Sequence, residues 1–321
     1  MAIEVLEPGL ATSVQDRGRP GYYNVGVPPS GALDLYAAAA ANALVGNDVT
    51  AGVLESAYMG PKLRFRDAAV VAVTGAVVPV LLNGQEAPRW ESFEVRAGDE
   101  LSFGILQAGA RIYIGVSGGI DVPLVLGSRS LYALGAFGGF EGRPMQAGDV
   151  LPVGAGQGRV GVRLPEGLIP DYPKELAVRV VLGLYDYRLT DEGMSSLIDR
   201  PWKLSPVADR IGFRYSGNTL KWRERKQPFG AGSDPSNITD AGYPVGSIQV
   251  PGGVEPIILH RDAVSGGGYA MVGTVISADM DVVGQSAPGT MTRFTPVTLD
   301  QALEARAVYR ARERDMIAAT S

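Results

Sequence analysis

The chain has 321 residues, with 29 Lys plus Arg against 34 Asp plus Glu, a formal net charge of −5, no cysteine and a single histidine, His260. That balance excludes an electrostatic nucleic-acid binder; the missing sulfur and imidazole exclude thiolate nucleophiles, Cys-based zinc or iron–sulfur sites, disulfide scaffolds and multi-histidine metal centres. Glycine (43) and proline (22) supply about a fifth of the residues while 45% are apolar, which predicts a compact, turn-rich, β-dominated protein.

The length predicts about two domains. The N-terminal residues lack a basic stretch followed by an apolar one, so no secretory leader is expected, and the chain is placed in the cytoplasm. The most apolar stretch, 68–82, is shorter than the about 18 residues of a membrane span. It is interrupted by Thr74, Gly75 and Pro79 and reads as strand, turn, strand. Short β-branched runs bounded by Gly, Pro or Asp predict strands at 62–65, 70–74, 78–82, 93–95, 100–103, 111–116, 149–153 and 160–164, the spacing of an antiparallel barrel or sandwich. One helix interrupts them at 33–45, with Ser30 or Asp34 near its start, an alanine-rich body, and Gly46-Asn47 as its stop.

Two prolines and no periodicity mark 168–174 as a boundary, separating a module at 1–168 from one at 175–321. The second module opens with an apolar run, 176–184, then a helix at 190–198 capped by Thr190. Residues 223–244 read as a long loop. Strands follow at 247–250, 256–259 and 271–277, and a C-terminal helix capped by Thr298 runs over 298–317. Asp16-Arg17 before the first helix has a faint echo in Asp209-Arg210, as 111–119 has in 257–267, consistent with two related β modules.

Several motifs carry potential chemistry. Gly115-Val116-Ser117-Gly118-Gly119 fits a serine nucleophile elbow, but Ile120-Asp121-Val122-Pro123 cannot open the helix such an elbow needs, so a strand-to-turn junction is expected. Gly154-Ala155-Gly156-Gln157-Gly158 likewise lacks a following helix and reads as a turn, not a phosphate loop. Arginine dominates the cations, with only five lysines. Arg17 and Arg19 beside Asp16, Arg129 in Gly127-Ser128-Arg129-Ser130, and Arg210 beside Asp209 are therefore candidates for planar recognition of carboxylate, carbamate or phosphate. His260 is expected to be a structural hydrogen-bonder, with a general base as the sharper alternative.

These segments together carry a resemblance. Residues 13–22, Gly26-Val27-Pro28-Pro29-Ser30-Gly31-Ala32-Leu33-Asp34, Leu54-Glu55, Gly118-Gly119-Ile120-Asp121-Val122-Pro123, Gly138-Gly139-Phe140-Glu141-Gly142-Arg143, Ala147-Gly148-Asp149 and Gly246-Ser247-Ile248-Gln249-Val250-Pro251 resemble the allophanate hydrolase subunit 2 family, which also goes by KipA-like, the 5-oxoprolinase C-subunit family or the biotin-dependent carboxyltransferase family. The resemblance implies a mainly β fold of two cyclophilin-like β-barrel modules, with a few short helices and a C-terminal helix. It also implies a component of a heteromeric enzyme of the carboxyltransferase or ATP-dependent 5-oxoprolinase type, working on a small amide, urea or lactam. A KipI-like subunit is the implied partner, with a LamB-like subunit or a biotin carboxylase as further ones. No metal and no directly bound cofactor is expected; ATP or carboxybiotin would arrive through partner chains. The alternative is a regulatory protein that binds a KipI-like kinase inhibitor without chemistry of its own.

Within that implied chemistry, Arg129 and Arg210 are expected to bind an oxyanion or carbamate and Asp262 to accept or orient a proton. Gln249 would hydrogen-bond a ureido or lactam group, Tyr269 joins the substrate-binding set, and Asp16, Arg17 and Arg19 would form a supporting network. The chain departs from the family's D-R-Q-T-T-G-G-Y pattern at Ala263, Val264, Ser265 and Gly266, and it has Asp240-Ala241-Gly242 where relatives carry Ser-Glu-Gly. Two polar groups are thereby lost, which favours a divergent amide substrate.

Overall fold

A computed structural model describes residues 1–321 as two compact units. The first comprises Met1–Pro20, Ser30–Tyr172 and Arg310–Ser321, and the second Gly21–Pro29 and Pro173–Tyr309. The change between Tyr172 and Pro173 falls inside 168–174, but a linear partition into 1–168 and 175–321 needs correction at two places. Tyr23 lies within the electrostatic reach of Arg261 and Asp262, and so the short excursion 21–29 belongs with the second unit. Met316 is fully buried and Glu313 pairs with Arg17, and so the last residues belong with the first.

In the first unit two antiparallel sheets face each other. One has the order Val150–Pro152, Ala2–Glu7, Lys62–Phe65, Glu100–Phe103, Val80–Leu82, Gln85–Ala87; the other runs Ser13–Gln15, Val53–Ala57, Ala108–Val116, Ala69–Val77, Ser92–Val95. Alternation along the strands decides what each side chain meets. Val71, Val73, Ile112 and Ile114 join Ile3, Val5, Leu63 and Phe65 in one core. The intervening Thr74 and Gly115 face helix α1 (Leu35–Leu44): Thr74 Oγ1 donates to Ala37 O at 2.7 Å, and a Cβ at Gly115 would stand 2.4 Å from Ala41 O. The alanine run of α1 is buried because only small side chains permit that approach. Asp34 is the N-cap, its Oδ1 accepting from Ala37 N at 2.8 Å. Residues 160–164 form no strand, contrary to expectation. Arg163 makes an isolated bridge to Glu91, and Ser92 occupies Val162 with side-chain and backbone hydrogen bonds.

The second unit is a closed barrel of Glu175–Leu182, Met271–Val275, Ser247–Gln249, Ile257–Leu259, Gly212–Ser216, Trp202–Ala208 and Met291–Pro296. It closes through a parallel pairing of Glu175–Leu182 with Met291–Pro296. Trp202, Phe213, Tyr215, Ile248, Ile258 and Phe294 are buried, with the Tyr215 and Phe294 rings edge to face at 5.7 Å. Helix α2 (Asp191–Ile198) begins where Thr190 Oγ1 accepts from Gly193 N at 3.0 Å. Helix α3 spans Met280–Gly284, and the C-terminal helix α4 spans Leu299–Thr320, three residues beyond the expected end. The stretch 223–244 is not all loop: Asn237–Gly242 pairs antiparallel with Gly266–Tyr269. No helix is long and apolar enough to cross a membrane.

Candidate functional site

The sequence candidates fall into two clusters, one in each unit. In the first, Asp16 follows directly on the strand Ser13–Gln15 and its buried carboxylate organises the loop after it. Oδ1 accepts from Gly18 N at 2.7 Å, Ser128 Oγ at 2.6 Å and Ser130 Oγ at 2.5 Å, while Oδ2 accepts from Arg129 N at 2.5 Å. Both ends of the Arg129 backbone are held, since Gly139 N donates to its carbonyl at 2.9 Å. The Arg129 side chain is less committed. Its Nη2 meets the exposed Asp121 Oδ1 at 3.1 Å, and its Nε is buried without a hydrogen-bond partner. A guanidinium on a fixed backbone with donors left over is suited to an oxyanion.

Arg19 is fully buried, donates to Ser130 O and lies 5.1 Å from the Phe137 ring centroid, so it braces the same loop from behind. Arg17 turns away and pairs with Glu313 in α4. Of the expected supporting network, then, Asp16 and Arg19 meet the Arg129 loop, and Arg17 does not. Glu141-Gly142-Arg143 is likewise turned to structure. Arg143 grips Asp149 through Nη1 and Nη2 at 2.7 and 2.8 Å, which holds the Asp149 carboxyl below the usual carboxylate range.

In the second unit Arg210 and Asp262 form a two-point pair, Nε to Oδ2 at 2.8 Å and Nη2 to Oδ1 at 3.3 Å, and Asp262 N donates to Arg210 O at 2.9 Å. Tyr23, which sequence reasoning missed, belongs to this neighbourhood. Burial pushes its hydroxyl up to about 12, with Arg261 opposing and Asp262 reinforcing the shift. Tyr23 falls between the two segments singled out for their motifs, 13–22 and 26–34, and no local pattern marks it. Tyr269 is held through its backbone: its N donates to Tyr243 Oη at 2.7 Å and Tyr243 Oη donates to its carbonyl at 2.6 Å. Gln249 is half-buried at the end of its strand, paired with Ile257 and Met271.

His260 is structural. It is fully buried, its Nδ1 accepts from Arg261 N at 3.0 Å, its Nε2 lies 3.4 Å from Met280 O, and its ring packs on Phe213. Ala263, one of the departures, is buried with Tyr243, Leu259 and Met271, and Val264 is exposed. The glycine run finds its reason in the same place, because a Cβ on Gly267 would come 3.0 Å from the Tyr243 ring. Ser117 is buried and its Oγ accepts from Val70 N at 3.1 Å. The glycines 118 and 154 pass so closely that a Cβ on Gly118 would sit 2.1 Å from Gly154 O, which accounts for the 154–158 turn without a phosphate.

A model of the carboxyltransferase domain, subdomains A and B, matches residues 25–296. The chain belongs to that family. Among related carboxyltransferase-family proteins, urea amidolyase of Saccharomyces cerevisiae is 37% identical over 93% of this chain, which spans 17% of that protein. The 5-oxoprolinase C subunit of Escherichia coli is 32% identical over 95% of this chain and 94% of its own length. The crystal structure of K. lactis urea amidolyase superposes with a TM-score of 0.92 at 36% identity, covering 98% of this chain and 20% of that one. The carboxyltransferase relatives are thus an enzyme subunit of similar extent and segments of much longer enzymes.

Proposed function

We propose that the chain is the carboxyltransferase-type subunit of a multi-chain enzyme that activates a small amide, either a urea or a lactam. The observation that carries this reading is the two-way coverage with the 5-oxoprolinase C subunit, 95% of this chain against 94% of that protein. A KipI-like subunit is the partner, with a LamB-like subunit or a biotin carboxylase to complete the assembly. ATP, carboxybiotin or both are brought by those chains.

In a carboxyl transfer, biotin on a partner chain would supply an activated carboxyl group to the amide nitrogen and take up the amide proton in exchange. Negative charge moves across the carboxyl group, and Arg129, with its backbone pinned by Asp16, is the group to receive it. Asp262, whose two oxygens both face Arg210, serves better to orient an N–H than to remove its proton. Gln249 and Tyr269 supply the polar contacts to the ureido or lactam group.

Co-expression with the KipI-like subunit, followed by ATP-turnover assays across urea, guanidine-type compounds, 5-oxoproline and other lactams, tests the reading. Turnover with one substrate is expected, and Arg129→Ala should lower it by about 10²-fold while the complex still forms. Failure to form a complex, or full activity in Arg129→Ala, removes the assembly and the assignment of Arg129 respectively.

A further inference from the structure

Most half-buried arginines in this chain answer to a carboxylate: Arg143 to Asp149, Arg210 to Asp262, Arg17 to Glu313. Arg89, in the first unit, does not. Its Nη2 donates to the carbonyl of Gly75 at 3.1 Å, and its Nε is buried with no hydrogen-bond partner. Burial pushes the guanidinium pKa down, and the group opposing that shift is a phenol, Tyr172, whose hydroxyl donates to Asp34 Oδ2 at 3.2 Å. A cation taken out of water ordinarily gains an anion or a full set of acceptors in exchange.

The next residue is also unusual. Trp90 has φ +56, a left-handed conformation that a bulky side chain rarely adopts. It is fixed there by Trp90 N donating to Val73 O at 2.8 Å and Leu164 N donating to Trp90 O at 3.0 Å. The indole is buried and its Nε1 has no partner. Strain of this kind persists where the surroundings over-determine it, and it concentrates at sites with work to do. Two consecutive residues therefore each hold a buried N–H donor without a partner, and no carboxylate neutralises the Arg89 cation.

We propose that Arg89 anchors a second oxyanion site, which takes a small carboxylate- or phosphate-class anion against its guanidinium. A planar, permanently charged fork suits either anion. The chain's net charge of −5 provides no general attraction for anions, so binding has to come from this local arrangement. The site is separate from the Arg129 loop: Arg89 is fixed to Gly75 next to Thr74, the residue that bonds helix α1, whereas Arg129 is fixed to Asp16. It does not depend on the carboxyl-transfer reading.

The test is a nitrogen-15 NMR titration of the full chain, following the indole signals of its three tryptophans and assigning that of Trp90 with Trp90→Phe. Sodium bicarbonate, sodium acetate and inorganic phosphate are added in separate arms, with sodium chloride as the ionic-strength control. A saturable shift of the Trp90 signal is expected with at least one oxyanion. Response to bicarbonate or acetate identifies a planar anion, and response to phosphate a tetrahedral one. Arg89→Gln should weaken the binding about tenfold or more, and Arg89→Lys, which keeps the charge but loses the fork, by less. Arg129→Ala should leave the titration unchanged. No saturable shift beyond chloride overturns the proposal, as does wild-type affinity in Arg89→Gln or, should that variant not fold, in Arg89→Lys.

Discussion

Asp16 concentrates more structural responsibility than any other polar side chain near the candidate site. Four donors converge on its carboxylate, and removing it leaves them unpaired in a buried place. Asp16→Ala is expected to lower stability by about 3 kcal/mol, read by chemical denaturation, and to release the Arg129 loop. Ala263 makes the opposite case. Enclosed by Tyr243, Leu259 and Met271, it has a largely apolar surround, so Ala263→Asp should cost about 2 kcal/mol or more in the same measurement. The tyrosines add a pH signature. The Tyr23 and Tyr243 hydroxyls rise from 10.0 to about 12 through burial, so their contribution to stability is fully present below pH 10 and is lost as pH climbs through about 12. A tyrosinate absorbance titration of the folded protein should show these groups ionising later than in denaturant.

Among the elements, the sheets and helices were legible where a pattern was local. The strands Lys62–Phe65 and Glu100–Phe103 and the caps Asp34 and Thr190 could be read because alternation, turn residues and short polar side chains act over a few positions. Ser13–Gln15 was not legible, since its partner is distant in sequence, nor was Trp202–Ala208, whose composition is mixed and which also pairs with the distant Met291–Pro296. Residues 160–164 failed for the converse reason: they have strand composition but meet only an isolated bridge. The candidate site divides in the same way. Asp16, Arg129, Arg210 and Asp262 stood out as motif residues, whereas Tyr23 depends on a chain excursion that no local pattern announces. Close approach of α1 to its sheet gives a prediction at this scale. Gly115→Ala would place a methyl 2.4 Å from Ala41 O, and a loss of about 2 kcal/mol with displacement of the helix is expected, measured by denaturation and circular dichroism.

For the whole molecule, a mainly β fold of two β-barrel modules was anticipated, and one unit is a closed barrel and the other a pair of facing sheets; how the chain is shared between them was not anticipated. Helix α4 is counted with the second unit up to Tyr309 and with the first from Arg310. Its last turns bury Met316, place Arg312 4.8 Å from the Tyr36 ring centroid and pair Glu313 with Arg17. Deleting 310–321 should therefore destabilise the first unit, seen as a lowered thermal transition of signals from that unit, although the deletion lies at the far end of the sequence from most of it.

That sharing also sets an order of events during synthesis. The first unit lacks its final helical turns until residues 310–321 are made, and the second unit needs a segment made before residue 30. Neither can be completed on its own as the chain lengthens. A cut between Tyr172 and Pro173 would give two fragments each missing a piece held by the other, so split expression or exchange of halves with a relative must carry 21–29 and 310–321 across the join.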